Sequence, residues 1–247
     1  MDTTPEPSKA VEEFVERAER LASGAERHLP SWLRPGDPES RLPVLGALVA
    51  AIALQVAITR SDYAVIPRWP LISLEVLLLA VLVWLNPLRL TRSTIRGKYA
   101  TWVLLAAITI DNTASAAVLD ARIITGEVSN NAMLLLGGGA AIYGTNIIVF
   151  GIWYWELDRG GPFARRSGTR PYPDFLFPQM TSPEVAKPDW RPKFVDYLYV
   201  SFTNVVAFSP TDTMPLARWA KVMMTVQAMV ALSTAALVIA RAVNVLG

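Results

Sequence analysis

The sequence predicts an all-α fold, a polytopic bundle of transmembrane helices, and three observations support it. Hydrophobic residues make up 52% of the 247 residues and charged residues only 18%, whereas soluble domains carry about 25% charged residues. Tryptophan side chains stand near the ends of apolar runs, as they do at membrane interfaces. The runs themselves recur along the chain, centred on Val49, Leu78, Ala107 and Ile142 and then spanning Val222 to Leu246.

Residues 1–41 form an N-terminal segment before the first apolar run. Apolar side chains recur there at helical spacing after Ser8, which predicts an amphipathic helix that includes Phe14 and Leu21. Its outer face is rich in glutamate and unsuited to anionic lipid, so we expect it to dock on the protein's own loops, the alternative being a partner protein. The charged start of the chain predicts no cleavable signal peptide.

Residues 42–247 form the membrane domain, with six predicted helical segments. The fifth has about 15 residues and includes Ser201, Thr203 and Asn204, which is short for a full crossing. It either crosses the membrane or is re-entrant, entering and leaving on one side. The six segments are Leu42 to Thr59, Pro70 to Leu85, Tyr99 to Leu119, Ala132 to Trp155, Phe194 to Phe208 and Arg218 to Val243.

The arginine and lysine residues predict the orientation, because cytoplasmic loops are enriched in them. With six crossings and the N-terminus inside, 18 of these residues lie inside and 5 outside. We therefore expect a multi-pass protein of the plasma (inner) membrane with both termini in the cytoplasm. The long loop, residues 156–193, is then also inside, and its mixed charges and aromatics predict that it packs on the membrane domain. Its glycines and arginines lack the Gly-Lys-Ser/Thr ending of a phosphate-binding loop.

Several function classes are excluded by composition. The chain has no cysteine, and its single histidine, His28, lies outside every predicted span. These facts argue against haem ligation, histidine-box di-iron chemistry and cysteine-ligated metal clusters, so no cofactor is predicted. The basic residues cluster beside spans, which makes nucleic acid a poor partner for this chain.

Two acidic residues lie deepest in apolar surroundings, Glu75 in the second segment and Asp111 in the third. An ionised side chain at the centre of a membrane helix costs about 2.5 kcal/mol or more, and such residues mark ion or proton sites. The alternative is an acid that is hydrogen-bonded and fixes helix packing, for instance Asp111 paired with Asn146 on the next segment. Asn112, Thr113 and Ser115 make the third segment the most polar of the first four and our best candidate for lining a pathway.

The full set of candidate pathway or intramembrane polar residues extends to the last two segments. In the fourth segment, Gly137, Ala141, Gly144 and Gly151 predict a smooth face for close helix contact. Gln227 has an alternative role as an amide that holds helices together. The candidates are Glu75, Asp111, Asn112, Asn146, Thr203, Asn204, Ser209, Thr211, Asp212 and Gln227.

Two stretches carry a resemblance to known proteins. Trp-Tyr-Trp-Glu-Leu-Asp-Arg-Gly-Gly at 153–161, and the stretch from Asp196 that includes Tyr-Val-Ser-Phe-Thr-Asn-Val-Val-Ala-Phe-Ser-Pro-Thr-Asp at 199–212, resemble a family of uncharacterised bacterial polytopic membrane proteins, a domain of unknown function. The resemblance implies a membrane protein without an established activity.

The C-terminal fifth is also similar to the pore helix, filter and inner helix of potassium-channel pore domains. Ser201 and Phe202 match the end of the pore helix, and Asp212 matches the acid after the filter. Where such channels have Thr-Val-Gly-Tyr-Gly-Asp, this chain has Ala-Phe-Ser-Pro-Thr-Asp at 207–212. Both filter glycines are replaced, and Pro210 fixes its own dihedral angle and lacks a backbone donor. A potassium-selective filter is therefore not implied.

Together these observations predict a channel-like or transport protein with a degenerate pore segment. The expected partners are the lipid bilayer, a second copy of the chain, and a monovalent cation or small solute. The alternative is a scaffold or partner subunit that transports nothing and acts through the N-terminal helix and the long loop. An enzymatic activity is the minority interpretation, and no catalytic residue is predicted.

Overall fold

The computed structural model describes residues 29–59, 69–85, 95–128, 131–206 and 212–246. It is mostly helical, at 77%. The predicted N-terminal amphipathic helix, Ser209 and Thr211 lie outside the described residues. In chain order the helices are α1 (Leu42–Thr59), α2 (Trp69–Leu85), α3 (Ile95–Thr125), α4 (Ala132–Leu157), α5 (Pro162–Ser167), α6 (Pro178–Thr181), α7 (Phe194–Val206) and α8 (Arg218–Leu246).

The membrane character of the prediction is confirmed in its coarse form. Three helices, α3, α4 and α8, are long and apolar enough to cross a membrane, and α1 and α2 contain shorter apolar stretches.

The beginning of α4 follows a local sequence rule. Asn131 caps α4 by accepting hydrogen bonds from the backbone N–H groups of Met133 and Leu134, as N-cap residues do.

Helix α4 lies at the centre of the bundle and contacts α1, α3, α7 and α8. Its small residues allow close approach: a Cβ atom at Gly151 would lie 3.0 Å from the Cα atom of Leu198 in α7, and one at Gly139 would lie 2.8 Å from Val238 in α8. The predicted smooth face is therefore confirmed at Gly151, whereas Gly137 faces open space.

Helix α7 enters and leaves at the same end of the bundle. The strand β1 (Phe175–Leu176), which precedes α7, pairs antiparallel with β2 (Met214–Pro215), which follows it. Asp174 reinforces this pairing, because its carbonyl oxygen accepts from Leu216 N at 2.8 Å and its Oδ1 accepts from Trp219 Nε1 at 3.1 Å. With 13 residues, α7 is about 20 Å long, short of the roughly 30 Å of a bilayer core.

This pairing and the length of α7 favour the re-entrant alternative for the fifth segment, and six crossings are not confirmed. The cytoplasmic position of both termini stays a prediction. If α7 is re-entrant and the five helices α1, α2, α3, α4 and α8 cross, Arg218 and Lys221 move inside and Arg241 moves outside, which changes the charge count from 18 against 5 to 19 against 4. This five-crossing topology also agrees with the positive-inside rule.

The long loop packs on the membrane domain, as predicted, and it does so together with residues 29–41. Gly36 N donates to Arg166 O at 3.1 Å, Arg191 Nη2 donates to Pro35 O at 2.8 Å, and Ser31 Oγ donates to Trp190 O at 2.7 Å. We call this side of the molecule the loop end. Its core is aromatic, with the Phe175 ring packed against those of Tyr154, Tyr197 and Trp219.

Candidate functional site

A buried carboxyl group on α3 forms the centre of the candidate site. Gln55 Nε2 on α1 donates a hydrogen bond to Asp111 Oδ2 at 2.9 Å. Gln55 is fully buried and Asp111 is 8% exposed. The sequence pattern puts these side chains on different helices, 56 positions apart, so the contact depends on how the two helices pack.

Polar groups on α2 and α3 extend this site. Glu75 on α2 is fully buried. On α3, Asn112 is 3% exposed, and the buried Ser115 hydroxyl donates to the carbonyl oxygen of Asp111 one turn earlier. Asp111, Asn112 and Ser115 are therefore buried in the interior of the bundle, as predicted for the polar surface of α3, whereas Thr113 is half-buried.

The fourth helix adds two buried polar side chains, Thr145 and Asn146. Neither the Thr145 hydroxyl nor the Asn146 amide makes a hydrogen bond within the described part of the chain. The expected pair between Asp111 and Asn146 is therefore wrong, because Gln55 takes that place. An amide that is 1% exposed and not hydrogen-bonded to protein suits a polar ligand or water.

The helix rise gives the approximate depth of each of these side chains in the bundle. At about 1.5 Å of rise per residue, Gln55 lies about 20 Å along α1 from the loop end, Glu75 about 15 Å along α2, Asp111 about 24 Å along α3 and Asn146 about 17 Å along α4. By this measure they lie within about 9 Å of one another along the bundle. We call Gln55, Glu75, Asp111, Asn112, Thr145 and Asn146 the polar layer.

Helix α7 ends at the same depth. The hydroxyl group of Tyr143 on α4 donates to the carbonyl oxygen of Val205 at 2.9 Å, in the last turn of α7. The C-terminal end of a helix carries a partial negative charge, and α7 brings it to the middle of the bundle. Interrupted helices whose C-terminal ends face the bilayer midplane are a feature of cation sites in transport proteins.

A second polar cluster is fully hydrogen-bonded and holds α7 in place. Gln227 on α8 is fully buried. Its Oε1 accepts from Tyr154 Oη at 2.6 Å and from Asn204 Nδ2 at 2.8 Å, while its Nε2 donates to the hydroxyl and carbonyl oxygens of Ser201. Ser201 Oγ in turn donates to Ile147 O. Of the roles considered for Gln227, packing is therefore the one that the contacts support.

The other predicted site residues do not join the polar layer. Asn204 belongs to the Gln227 cluster, and its amide also donates to Met224 O at 2.9 Å. Thr203 hydrogen-bonds within its own helix, to the carbonyl oxygens of Tyr199 and Val200. Asp212 is exposed, at the point where the chain returns towards β2.

A charged cluster at the loop end fixes the start of the long loop. Asp158, directly after α4, is fully buried. Its Oδ1 accepts from the backbone N–H groups of Asp174 and Phe175, and its Oδ2 accepts from Tyr197 Oη at 2.6 Å. These bonds tie α4, β1 and α7 together at one carboxylate.

Two buried arginines complete this cluster. Arg159 adopts a left-handed backbone conformation with φ 50°, donates from Nη1 to Trp32 O at 2.9 Å and stacks on the Trp32 ring. Arg165 donates to the carbonyl oxygens of Trp155 and Asp158. Burial by itself would lower the pKa of Arg165, but Tyr197, Glu39 and Asp158 raise that pKa above its ordinary value, so the guanidinium stays charged.

Comparisons of the chain with protein-family models, with curated proteins and with solved structures found no match. The two resemblances noted in the sequence therefore stay predictions.

The sequence pattern did not indicate a role for Gln55, Asp158 or the two buried arginines. For Gln55, the available signal was a lone amide within an apolar span; for Asp158 and its neighbours there was none, because charged residues in a loop are ordinarily solvated.

Proposed function

We propose that this chain is a membrane transport protein for a proton or a monovalent cation, with Asp111 as the ion-binding group of its pathway. The observation that carries the proposal is the Asp111 carboxyl group, which is buried inside the bundle and accepts a hydrogen bond from Gln55 at 2.9 Å. Buried ionisable groups in membrane helices are costly and mark ion pathways or proton relays.

The surroundings of Asp111 fit this role better than they fit packing alone. Glu75 supplies a second acid at a similar depth, and a proton or cation can be shared or passed between carboxyl groups. Asn146 and Thr145 add oxygen atoms that make no hydrogen bond to the described protein. The Gln227 cluster, in contrast, has its donors and acceptors paired and needs no ligand.

The re-entrant helix supports transport through the same region. Its C-terminal end lies at the depth of the polar layer, where its partial negative charge favours a cation. The order of re-entrant helix, return segment and long helix α8 agrees with the predicted similarity to pore domains. The ion path proposed here runs beside α7 and past Asp111, and it does not depend on a glycine filter.

The test is ion flux in vesicles that contain the purified full chain. Wild-type protein is reconstituted with a pH-sensitive dye inside, and proton entry is followed after a pH jump, with potassium and sodium gradients as separate arms. Asp111→Asn removes the carboxylate charge and keeps a side-chain oxygen that can still accept a hydrogen bond from Gln55. We expect flux to fall to the level of protein-free vesicles.

The matched control is Glu127→Gln, which removes one negative charge from an exposed position just beyond α3. We expect its flux to equal the wild type. Size-exclusion profiles in detergent show whether each variant is folded. Wild-type vesicles with no flux of any of the three ions, or a folded Asp111→Asn variant with full flux, would overturn the proposal.

A further inference from the structure

We propose that a cavity at the loop end binds the phosphate-bearing head group of an anionic phospholipid, with the acyl chains lying along the exposed apolar face of α7. This site is separate from the polar layer and does not depend on transport.

The cavity has a volume of about 830 Å³ and is formed by three stretches of chain, residues 32–43, 159–166 and 189–195. That volume is in the range of pockets that hold a small molecule. The three stretches are joined by hydrogen bonds such as those between Gly36 and Arg166, so the walls are parts of one packed cap.

Positive charge dominates the cavity walls. Five basic residues and three acidic residues line it. One of the acids, Glu39, is already engaged, since its Oε2 accepts from Trp155 Nε1 at 2.7 Å and its Oε1 lies 3.6 Å from Arg165 Nη2. The basic residues are Arg159, Arg165, Arg166, Arg191 and Lys193, and the other acids are Asp37 and Asp189.

Two of these arginines keep donors that no described protein group accepts. Arg159 and Arg165 are 2% and 4% exposed, yet Nε of Arg159 and both Nε and Nη2 of Arg165 make no hydrogen bond to the described residues. Arg159 Nε lies 3.6 Å from Asp158 Oδ2, and Arg165 Nη2 lies 3.6 Å from Glu39 Oε1. Both distances are longer than a hydrogen bond. Guanidinium groups bind phosphate oxygens through such donors, so the shared chemistry of the ligand is a phosphate group.

The apolar part of the cavity decides between a lipid and a free phosphate. Phe194 and Val195, at the beginning of α7, line the same cavity. From Val195, exposed apolar side chains continue along one face of α7, at Tyr199, Phe202 and Val206, with 65, 56, 47 and 45% exposure in that order. A free phosphate makes no use of such a face, whereas acyl chains below a bound head group would cover it.

The position of the cavity fits an anionic lipid. In the five-crossing topology, the sequence assigns 19 of the 23 arginine and lysine residues to the side of the membrane on which the cavity lies. Cytoplasmic leaflets are rich in anionic lipids, and basic pockets between helices on that side bind their head groups.

The test titrates the full chain in detergent with phosphatidylglycerol and, separately, with phosphatidylcholine of the same acyl chains, and counts bound lipid by native mass spectrometry. Arg191→Gln with Lys193→Gln removes two of the three basic side chains of the cavity that are not buried, the third being Arg166. We expect phosphatidylglycerol to bind more tightly than phosphatidylcholine. We also expect the double variant to lose about 30-fold in affinity, which corresponds to about 1 kcal/mol for each side chain.

The matched control is Arg170→Gln with Lys187→Gln, two exposed basic residues of the same loop that do not line the cavity. It should bind like the wild type. The single variant Lys193→Gln should lose about fivefold in affinity for phosphatidylglycerol. Because Lys193 is exposed, this variant shows whether the loss in the double variant comes from binding or from a folding defect.

Three outcomes would overturn the inference: equal affinity for the two lipids, equal loss in the cavity and control variants, or thermal stabilisation by inorganic phosphate alone that matches phosphatidylglycerol. None of these results bears on ion flux, so this inference and the proposed function fail separately.

Discussion

Two buried side chains, Asp111 and Gln227, show what residue-level reasoning can and cannot decide. Both were predicted as polar groups inside the membrane domain, and both are buried. Their roles differ because of contacts with other helices. Gln227 uses four hydrogen bonds to join α4, α7 and α8, whereas Asp111 is held by Gln55 on α1. A single sequence shows residue type and its place in an apolar segment, but partners 23 to 73 positions away depend on packing.

Replacing Gln227 by leucine should destabilise the protein without abolishing ion flux. The substitution leaves Tyr154, Asn204 and Ser201 with buried polar groups that lack this partner, and one such loss costs about 1–3 kcal/mol. Unfolding in mixed detergent, followed by circular dichroism, measures the free energy of unfolding. Thr225→Val is the control, since Thr225 is exposed on the same helix. A Gln227→Leu protein with wild-type stability would contradict the packing role.

Replacing Asp158 by asparagine should loosen the loop end. The amide nitrogen of asparagine is a donor. In the place of Oδ1 it would face the backbone N–H groups of Asp174 and Phe175, and in the place of Oδ2 it would face the Tyr197 hydroxyl. All of these groups are donors in the wild type. Arg159 would also lose its charged partner. We expect a loss of about 3 kcal/mol of stability, measured by thermal unfolding in detergent. Glu184→Gln, an exposed change in the same loop, should have no effect, and an equal effect of the two changes would refute this account.

At the scale of helices and strands, local sequence signals predicted most of the architecture. The apolar runs predict the long helices to within a few residues at most of their ends. They could not decide whether α7 crosses the membrane, because that depends on the pairing of β1 with β2, whose strands lie 38 residues apart. Two-residue strands carry almost no sequence signal of their own.

The contact between α4 and α7 should depend on Gly151. A valine there would place its Cβ atom 3.0 Å from the Leu198 backbone and force the helices apart, which typically costs about 1–3 kcal/mol. Gly137→Val makes the same change on the same helix, where nothing lies within 4 Å. Unfolding in detergent should show a large loss for Gly151→Val and a small one for Gly137→Val. Equal losses would mean that helix propensity alone sets the effect.

For the whole molecule, the sequence predicted a helical membrane bundle, and the long apolar helices α3, α4 and α8 agree with it. The inside position of the loop and the number of crossings stay predictions. Charge counting is insensitive here, because the six-crossing and five-crossing topologies differ only in where Arg218, Lys221 and Arg241 lie. The contacts of Asp174 with Leu216 and Trp219 favour the five-crossing topology. These contacts hold the beginning of α8 at the loop end.

Single cysteines test this topology directly, since the chain has none of its own. Val185→Cys lies in the long loop, and Asn244→Cys lies near the end of α8, both exposed. An impermeant thiol reagent should label Asn244→Cys from outside intact cells and Val185→Cys only after the cells are opened. Glu127→Cys, beyond α3, should behave like Asn244→Cys. Labelling of Val185→Cys and Asn244→Cys from the same side would show that α7 crosses the membrane.

The most direct test of the central claim asks whether the polar face of α3 is wet. Ser115→Cys lies on the buried face one turn from Asp111, and Ile110→Cys lies on the outward face, where the wild-type side chain is 69% exposed. In sealed membranes a small cationic thiol reagent reacts with a thiolate in water but not with a thiol in lipid. An ion pathway predicts fast reaction at Ser115→Cys and none at Ile110→Cys. Equal lack of reaction at both would show that the polar layer is dry packing and would contradict the transport account.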